Sequence, residues 1–129
     1  MKRSLCLISL AVAGSCSRVI EPPVSCTEVF VTATVTVLDQ TNAAVNGATV
    51  VVTVPRTGET LTPQSLALWA QGVYPIVDDA ARTKLRETGD SVHVSVVSPN
   101  GDAVGKYFFD VPSGCHINKV SGPDTLKVQ

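Results

Sequence analysis

Residues 29–38 read VFVTATVTVL, and this stretch decides the fold class. Valine or alanine occupies every second position, while phenylalanine, threonine and leucine fill the positions between them. Alternation with a period of two, built largely from β-branched residues, is typical of a strand that buries one face. The same pattern returns in residues 49–54 (TVVVTV) and 91–97 (SVHVSVV). The sequence therefore predicts an all-β fold.

Turn-forming residues separate further strand segments towards the C-terminus. Residues 99–102 (PNGD) are a strong turn signal, and residues 103–111 predict the returning strand. Residues 115–120 and 125–128 predict two closing strands, with a Gly-Pro turn between them. These segments extend the β pattern to the end of the chain.

The middle of the chain is less regular. Residues 55–63 predict a polar loop, and residues 65–71 fit either a helical turn or a strand. Residues 73–77 (VYPIV) predict a strand in which Pro75 requires an edge position or a bulge. Residues 78–87 predict a short helix or a loop of one or two turns. Together the segments predict a seven-stranded Ig-like β-sandwich with at most one short helix.

The N-terminus has the pattern of an export signal. A basic start in residues 1–4 (MKRS) precedes residues 5–13 (LCLISLAVA), an apolar run too short to span a bilayer. The small residues that end this run fit ordinary cleavage before Gly14. Residues 13–16 (AGSC) instead resemble the lipobox of bacterial lipoproteins. That resemblance implies cleavage before Cys16 and lipidation of this cysteine.

The four cysteines divide according to this processing. Cys6 is removed with the signal peptide, and ordinary cleavage then leaves three cysteines in a compartment that forms disulfides. Lipidation of Cys16 leaves a single pair and predicts a bridge between Cys26 and Cys115. In the chain-entropy model, a bridge that closes a loop of roughly 90 residues contributes about 4–5 kcal/mol to stability.

These assignments divide the chain into three parts. Residues 1–15 are predicted to be a signal peptide, residues 16–25 a lipidated tether, and residues 26–129 the β-sandwich. The nine residues after Cys16 reach at most roughly 30 Å. The lipid on Cys16 makes the membrane a predicted partner, and Ser17 resembles a signal for sorting to the outer membrane. The alternative localisation is secreted or periplasmic.

The charge balance argues against nucleic-acid binding. Removal of Lys2 and Arg3 with the signal leaves eight Lys and Arg against eleven Asp and Glu, a net charge of −3. The six aromatic residues are not interleaved with basic ones. A nucleic-acid-binding protein normally shows a basic stripe or patch.

The sequence lacks the motifs of the common enzyme classes. No HExxH, GxSxG or phosphate-binding loop is present, and neither His93 nor His116 has the spacing of a zinc site. We therefore predict no enzymatic activity, no metal and no cofactor. A calcium site is the alternative; its candidate ligands are Asp78, Asp79, Asp102 and Asp110.

Three short segments resemble the carboxypeptidase regulatory-like domains. They are residues 35–39 (VTVLD), residues 45–50 (VNGATV) and Gly72-Val73-Tyr74. The resemblance implies a transthyretin-like seven-stranded sandwich and an accessory role rather than a catalytic one. The wider transthyretin-like group that it implies includes a carbohydrate-binding-like fold.

The function that follows is a non-enzymatic, lipid-anchored module of the cell envelope that serves a structural or protein-interaction role. The alternative is a carbohydrate-binding module in which Trp69 and Tyr74 stack on sugar rings. A small hydrolase is a third hypothesis, which requires a polar triad or a metal cluster around His93 or His116. The predicted partners are therefore the membrane and either an envelope protein or a glycan.

Overall fold

A computed structural model describes residues 22–65 and 70–129 of the chain. Within these residues the backbone forms eight β-strands in two sheets. The strands are β1 (Thr32–Leu38), β2 (Thr49–Val54), β3 (Glu59–Leu61), β4 (Val73–Asp78), β5 (Asp90–Ser98), β6 (Gly101–Asp110), β7 (Asn118–Ser121) and β8 (Thr125–Lys127). One sheet has the order β4-β1-β8, and the other has the order β3-β2-β5-β6-β7. The predicted all-β sandwich is confirmed.

The alternating valines build the core between the two sheets. Val35 and Val37 of β1 are buried, while Thr34 and Thr36 are only half-buried. In β5 the three even-numbered valines have no exposed surface. Tyr107 and Phe109 of β6 supply the large side chains of this core. The period-two alternation therefore predicts correctly which face of β1 and of β5 is buried.

Pro75 lies on an edge strand, beside a bulge, where its missing N–H interrupts the sheet least. β4 is an edge strand of the three-stranded sheet, and its pairing with β1 shifts register between Ala33 and Thr34. Ala33 pairs with Val77 and Thr34 pairs with Pro75, which leaves Ile76 as the extra residue of a bulge. Because proline cannot donate to a ladder, edges and bulges are where sheets tolerate it. The predicted edge or bulge position of Pro75 is confirmed.

The structure differs from the sequence predictions at three places. β1 begins at Thr32, so Val29 and Phe30 lie before the strand and are exposed. β3 lies inside residues 55–63, which were predicted to be a loop, so the described residues contain eight strands rather than seven. A tight turn forms this hairpin: the N–H groups of Thr57 and Gly58 donate to the Val54 carbonyl, and Gly58 adopts a φ of 72°. The buried side chain of Leu61 then fixes the short strand against the core.

The predicted helix over residues 78–87 is reduced to a single 3-10 turn at Asp79–Ala81. The Asp78 side chain caps it by accepting from the Ala80 N–H, but the same carboxylate also accepts from Gln64 and Ser65. A second 3-10 turn spans Pro112–Gly114. Within the described residues no helix is long and apolar enough to cross a membrane.

The chain passes from one sheet to the other between β7 and β8. Gly122 begins this crossing at a φ of 125°, and a Cβ placed on it would lie 2.2 Å from the Tyr107 ring. Only glycine fits so close an approach in that conformation. After β8, Gln129 exchanges both of its backbone hydrogen bonds with Asp102 of β6. This pair joins the two sheets beside β6.

Candidate functional site

A disulfide joins Cys26 to Cys115, with their Cα atoms 5.3 Å apart. The bridge that the cysteine count predicted is therefore confirmed. It fastens the segment before β1 to the loop that follows β6. Cys26 is exposed, whereas Cys115 is almost fully buried.

The residues that follow the two bridged cysteines also touch. The Thr27 Oγ1 atom lies 2.8 Å from His116 Nε2, and His116 Nδ1 lies 2.7 Å from Asp79 Oδ2. Because the Asp79 carboxylate only accepts, Nδ1 carries a proton and donates to it. In the neutral imidazole Nε2 then accepts, so the Thr27 hydroxyl donates to the ring. A hydroxyl, an imidazole and a carboxylate thus form one hydrogen-bonded line.

Asp79 is the buried end of this line. Its carboxylate also accepts the backbone N–H groups of Val31 at 2.8 Å and Ile117 at 2.9 Å. Burial alone raises the pKa of Asp79, but the hydrogen bonds from Val31, His116 and Ile117 outweigh it and lower the pKa below its ordinary value. The side chain therefore stays ionised and holds two segments together: the approach to β1 and the approach to β7.

The order of groups is the one that activates a hydroxyl in triad hydrolases. There a carboxylate orients the imidazole, which takes the hydroxyl proton as the oxygen attacks. Here the same contacts also fasten residues 27–31 to the sandwich next to the disulfide. We call Thr27, Asp79, His116 and the Cys26–Cys115 bridge the clasp.

A second feature lies towards the other end of β6. A groove of about 650 Å³ is lined by residues 102–104 of β6 and by residues 125–127 and 129 in and beside β8. The hydrogen-bonded pair of Asp102 and Gln129 limits it on one side. Beyond this pair, β6 and β8 form no further backbone pairing among the described residues. We call this cleft the β6–β8 groove.

Of the residues predicted to carry a lipid or to contact a glycan, the structure describes only Tyr74. Cys16 and Trp69 lie outside the described residues. Tyr74 is half-buried and packs against the core. Its hydroxyl donates to the Val45 carbonyl at 2.7 Å and accepts the Ala48 N–H at 3.0 Å. The Tyr74 hydroxyl is thus bound to the protein's own backbone, and the predicted glycan contact of Trp69 and Tyr74 stays a prediction.

The structure separates the candidate metal ligands. Asp78 binds backbone N–H groups near the end of β3, while Asp79 belongs to the clasp. His93 lies on the outer face of β5, away from His116. Across residues 22–65 and 70–129, no group of three or more His, Cys, Asp and Glu side chains is placed to hold a metal ion.

Sequence inspection missed the line from Thr27 through His116 to Asp79. One signal could have found part of it: Thr27 and His116 each follow directly after a cysteine of the predicted bridge. Joining the cysteines brings the following residues close together. Nothing local points to Asp79, because its partners come from segments 37 to 48 positions away.

Neither a family model, nor a curated protein, nor a solved structure gives a significant match to this chain. The class that fold and site define is therefore a two-sheet β-sandwich closed by one disulfide.

Proposed function

We propose that this chain is a non-enzymatic, lipid-anchored module of the cell envelope that contacts another protein at the end opposite its tether. One observation carries the proposal: the clasp and the β6–β8 groove lie towards opposite ends of β6. The resemblance to carboxypeptidase regulatory-like domains supports an accessory role of this kind. The Cys26–Cys115 disulfide supports placing the domain outside the cytoplasm, because such bridges persist in oxidising compartments.

The geometry of β6 separates the two features. The strand contains ten residues, Gly101–Asp110, and a strand of that length spans roughly 30 Å. Cys115 follows its C-terminal end, whereas residues 102–104 line the groove near its N-terminal end. A tether that enters at Cys26 therefore leaves the groove facing away from the membrane. A domain held in this way can engage a partner without the membrane blocking its contact surface.

The anchor is tested by metabolic labelling with a palmitate analogue. We expect the label on the wild-type protein and none on Cys16→Ser. A mature protein that begins at Gly14 and carries no lipid would contradict the anchor.

The contact surface is tested by placing a photo-crosslinking amino acid at Lys127 in the groove and, as control, at Glu28 beside the clasp. In intact cells we expect a discrete crosslinked product from Lys127 and none from Glu28. Equal products from both positions, or none from the groove, contradict a distal contact surface.

The carbohydrate-binding alternative depends on Trp69. It predicts binding on a glycan array that Trp69→Ala abolishes. Retained binding in that variant, or the absence of any glycan ligand, would remove it.

The clasp favours a second candidate function, a reactive hydroxyl at Thr27. In this reaction His116 Nε2 takes the Thr27 proton while the oxygen attacks an electrophile and its leaving group departs. A fluorophosphonate probe tests it, because attack at phosphorus releases fluoride and leaves a phosphonate ester on Thr27. Labelling that Thr27→Val and His116→Asn both abolish supports the candidate. An unlabelled wild-type protein removes it and leaves the clasp as a structural fastening.

A further inference from the structure

The backbone of β6 turns unpaired groups towards the groove. Asp102 uses both its N–H and its C=O to bind Gln129, at 3.2 and 3.0 Å. In an antiparallel strand both groups of one residue point to the same side, and alternate residues repeat that direction. Val104 and Lys106 therefore direct their N–H and C=O groups to the Gln129 side of β6. Within the described residues this side of β6 pairs with β7 only from Phe108 onward.

β8 presents the opposite wall in the same way. Val128 donates to the Leu38 carbonyl and the Asp124 carbonyl accepts from Thr36, so these even-numbered residues face β1. The residues between them, Thr125 and Lys127, direct their backbone groups away from β1. Val104, Thr125 and Lys127 line the groove, and Lys106 continues the β6 edge beside it. The backbone groups that these residues direct into the gap have no partner among the residues described.

An open strand edge is a site where another extended chain pairs. Its unpaired N–H and C=O groups are the template for strand addition, and proteins usually protect such edges with charged side chains, especially lysine, or with proline, a bulge or a covering segment. Lys106 and Lys127 give these edges the first kind of protection, which disfavours a basic strand and leaves an acidic one able to pair. No proline and no bulge interrupts residues 102–106 or 125–127. The edges therefore remain competent for pairing.

The side chains beside the groove indicate what an incoming strand carries. Lys106 and Lys127 are exposed, and neither forms a salt bridge with any described residue. Val104 is 68% exposed and lies on the same outward face as Lys106. Acidic side chains complement the two lysines, and an apolar side chain covers Val104. Asp102 lies at the end of the groove where it pairs with Gln129, and its carboxylate repels acidic side chains there. The acidic residues of an incoming strand are therefore expected beside Lys106 and Lys127.

We propose that the β6–β8 groove binds an extended segment of a partner protein, which pairs as a strand with β6 at Val104 and Lys106. The outward positions of that segment alternate between an apolar residue over Val104 and an acidic residue beside Lys106 and Lys127. The proposal rests on the proposed function, because it specifies the partner contact of the same surface. It does not depend on the lipid anchor.

The test is an NMR titration of the full processed chain, purified from whichever cell fraction contains it. The probe is a blocked octapeptide, AVAEAVAE, which places valine and glutamate at alternate outward positions. The matched control is AVAKAVAK. We expect the amide signals of Val104, Lys106, Thr125 and Lys127 to shift with the acidic peptide. The basic peptide should bind at least tenfold more weakly.

Two variants separate backbone pairing from other modes of binding. Val104→Pro removes an N–H that is unpaired in the free protein, so we expect an unchanged melting temperature and at least tenfold weaker binding of AVAEAVAE. Val104→Thr keeps the N–H and should bind normally. The double variant Lys106→Glu/Lys127→Glu should reverse the preference between the two peptides.

Equal binding of both peptides, or full binding by Val104→Pro, overturns the proposal. So does protection of the groove amides that grows with protein concentration and accompanies a dimer, because a second copy then occupies the edge. Loss of palmitate labelling, by contrast, refutes the anchor and leaves this result unaffected. Failure of the groove and failure of the anchored function are therefore distinguishable.

Discussion

Thr27 Oγ1 and His116 Nε2 lie 2.8 Å apart although 89 positions separate the two residues in the chain. Each residue directly follows one half of the Cys26–Cys115 disulfide, which spans the same separation. The bridge therefore does more than close a loop, because it also places Thr27 beside His116, whose ring binds the Asp79 carboxylate. The clasp combines one covalent and several hydrogen-bonded attachments of residues 26–31, the segment that precedes β1.

Removal of the Cys26–Cys115 bridge should lower the stability of the domain. We expect the double variant Cys26→Ala/Cys115→Ala to lose about 3–5 kcal/mol of unfolding free energy, since the denatured chain is no longer constrained. Urea denaturation of the variant and the wild type measures the difference. Cys16→Ser serves as the control that leaves the bridge intact. A loss below about 1 kcal/mol would show that the bridge contributes little to the unfolding free energy.

Asp79→Ala should destabilise more than His116→Ala. The first change leaves the N–H groups of Val31 and Ile117 without their acceptor, at about 1–3 kcal/mol for each group that stays buried. The second removes one partner of the carboxylate and leaves both backbone bonds in place. Thermal and urea unfolding of the two variants provide the comparison. The reverse order would mean that the imidazole, and not the carboxylate, holds the two segments.

Acid should weaken the domain through Asp90. The side-chain bond from Arg56, together with contacts from Arg86, outweighs burial and lowers the pKa of this fully buried carboxyl to about 2. Because the folded pKa lies below the unfolded value near 3.8, the stabilisation is fully present above that unfolded value. It is lost as the pH falls towards 2, and amounts to about 2 kcal/mol.

Unfolding free energies measured between pH 5 and pH 2 check this dependence. Arg56→Gln should flatten it, because the largest cause of the low pKa is removed. Arg82→Gln is the control, since Arg82 forms no salt bridge with any residue of the described segments. An unchanged acid dependence in Arg56→Gln would assign the effect to other carboxyl groups.

The Tyr107 hydroxyl should be dispensable for stability. It is buried and has no hydrogen-bond partner in the part of the chain that the structure describes. Burial, followed by the charge of Asp124, raises the pKa of Tyr107 to about 12. We therefore expect Tyr107→Phe to be neutral or stabilising by up to about 1 kcal/mol at pH 7.

Tyr107→Phe also tests how the stability of the domain depends on alkaline pH. A raised folded pKa gives stability that is present below the unfolded pKa near 10 and is lost as the pH rises towards 12. Tyr107→Phe should lose less stability than the wild type across that interval. A destabilised variant at pH 7 would show that the hydroxyl has a partner after all.

Gly122→Ala should be far more harmful than Gly58→Ala. Both glycines have positive φ, but a Cβ at position 122 would lie 2.2 Å from the Tyr107 ring, while nothing lies within 4 Å at position 58. We expect about 1 kcal/mol for Gly58→Ala from backbone strain alone. Gly122→Ala should lose at least about 3 kcal/mol because the core is forced apart as well. Equal losses would place the whole cost in the backbone.

Local patterns could predict the strands and the buried faces, because alternation is a property of neighbouring residues. The identity of the disulfide pair followed from cysteine parity once processing was considered. The role of Asp79 could not be predicted in this way. Asp78 and Asp79 together have the sequence pattern of a helix N-terminus, but in the structure the Asp79 carboxylate binds Val31, His116 and Ile117. No local signal encodes partners from two distant segments.

The β6–β8 groove could not be predicted from the sequence either. It exists because β7 and β8 follow one another in the chain but join different sheets, and strand assignment alone does not fix that choice. β3 was missed for a simpler reason, since a three-residue strand between polar turn formers carries almost no periodic signal.

The position of the disulfide also determines how the domain transmits force. Tension applied to the chain before Cys26 would pass at Cys26 through the sulfur atoms to Cys115 and from there along the backbone to β6 and Val104. Every link on that route is a covalent bond. A load between the membrane and a partner at the groove would therefore bypass the hydrogen bonds of the sheets, and the partner contact itself would yield before the sandwich unfolds.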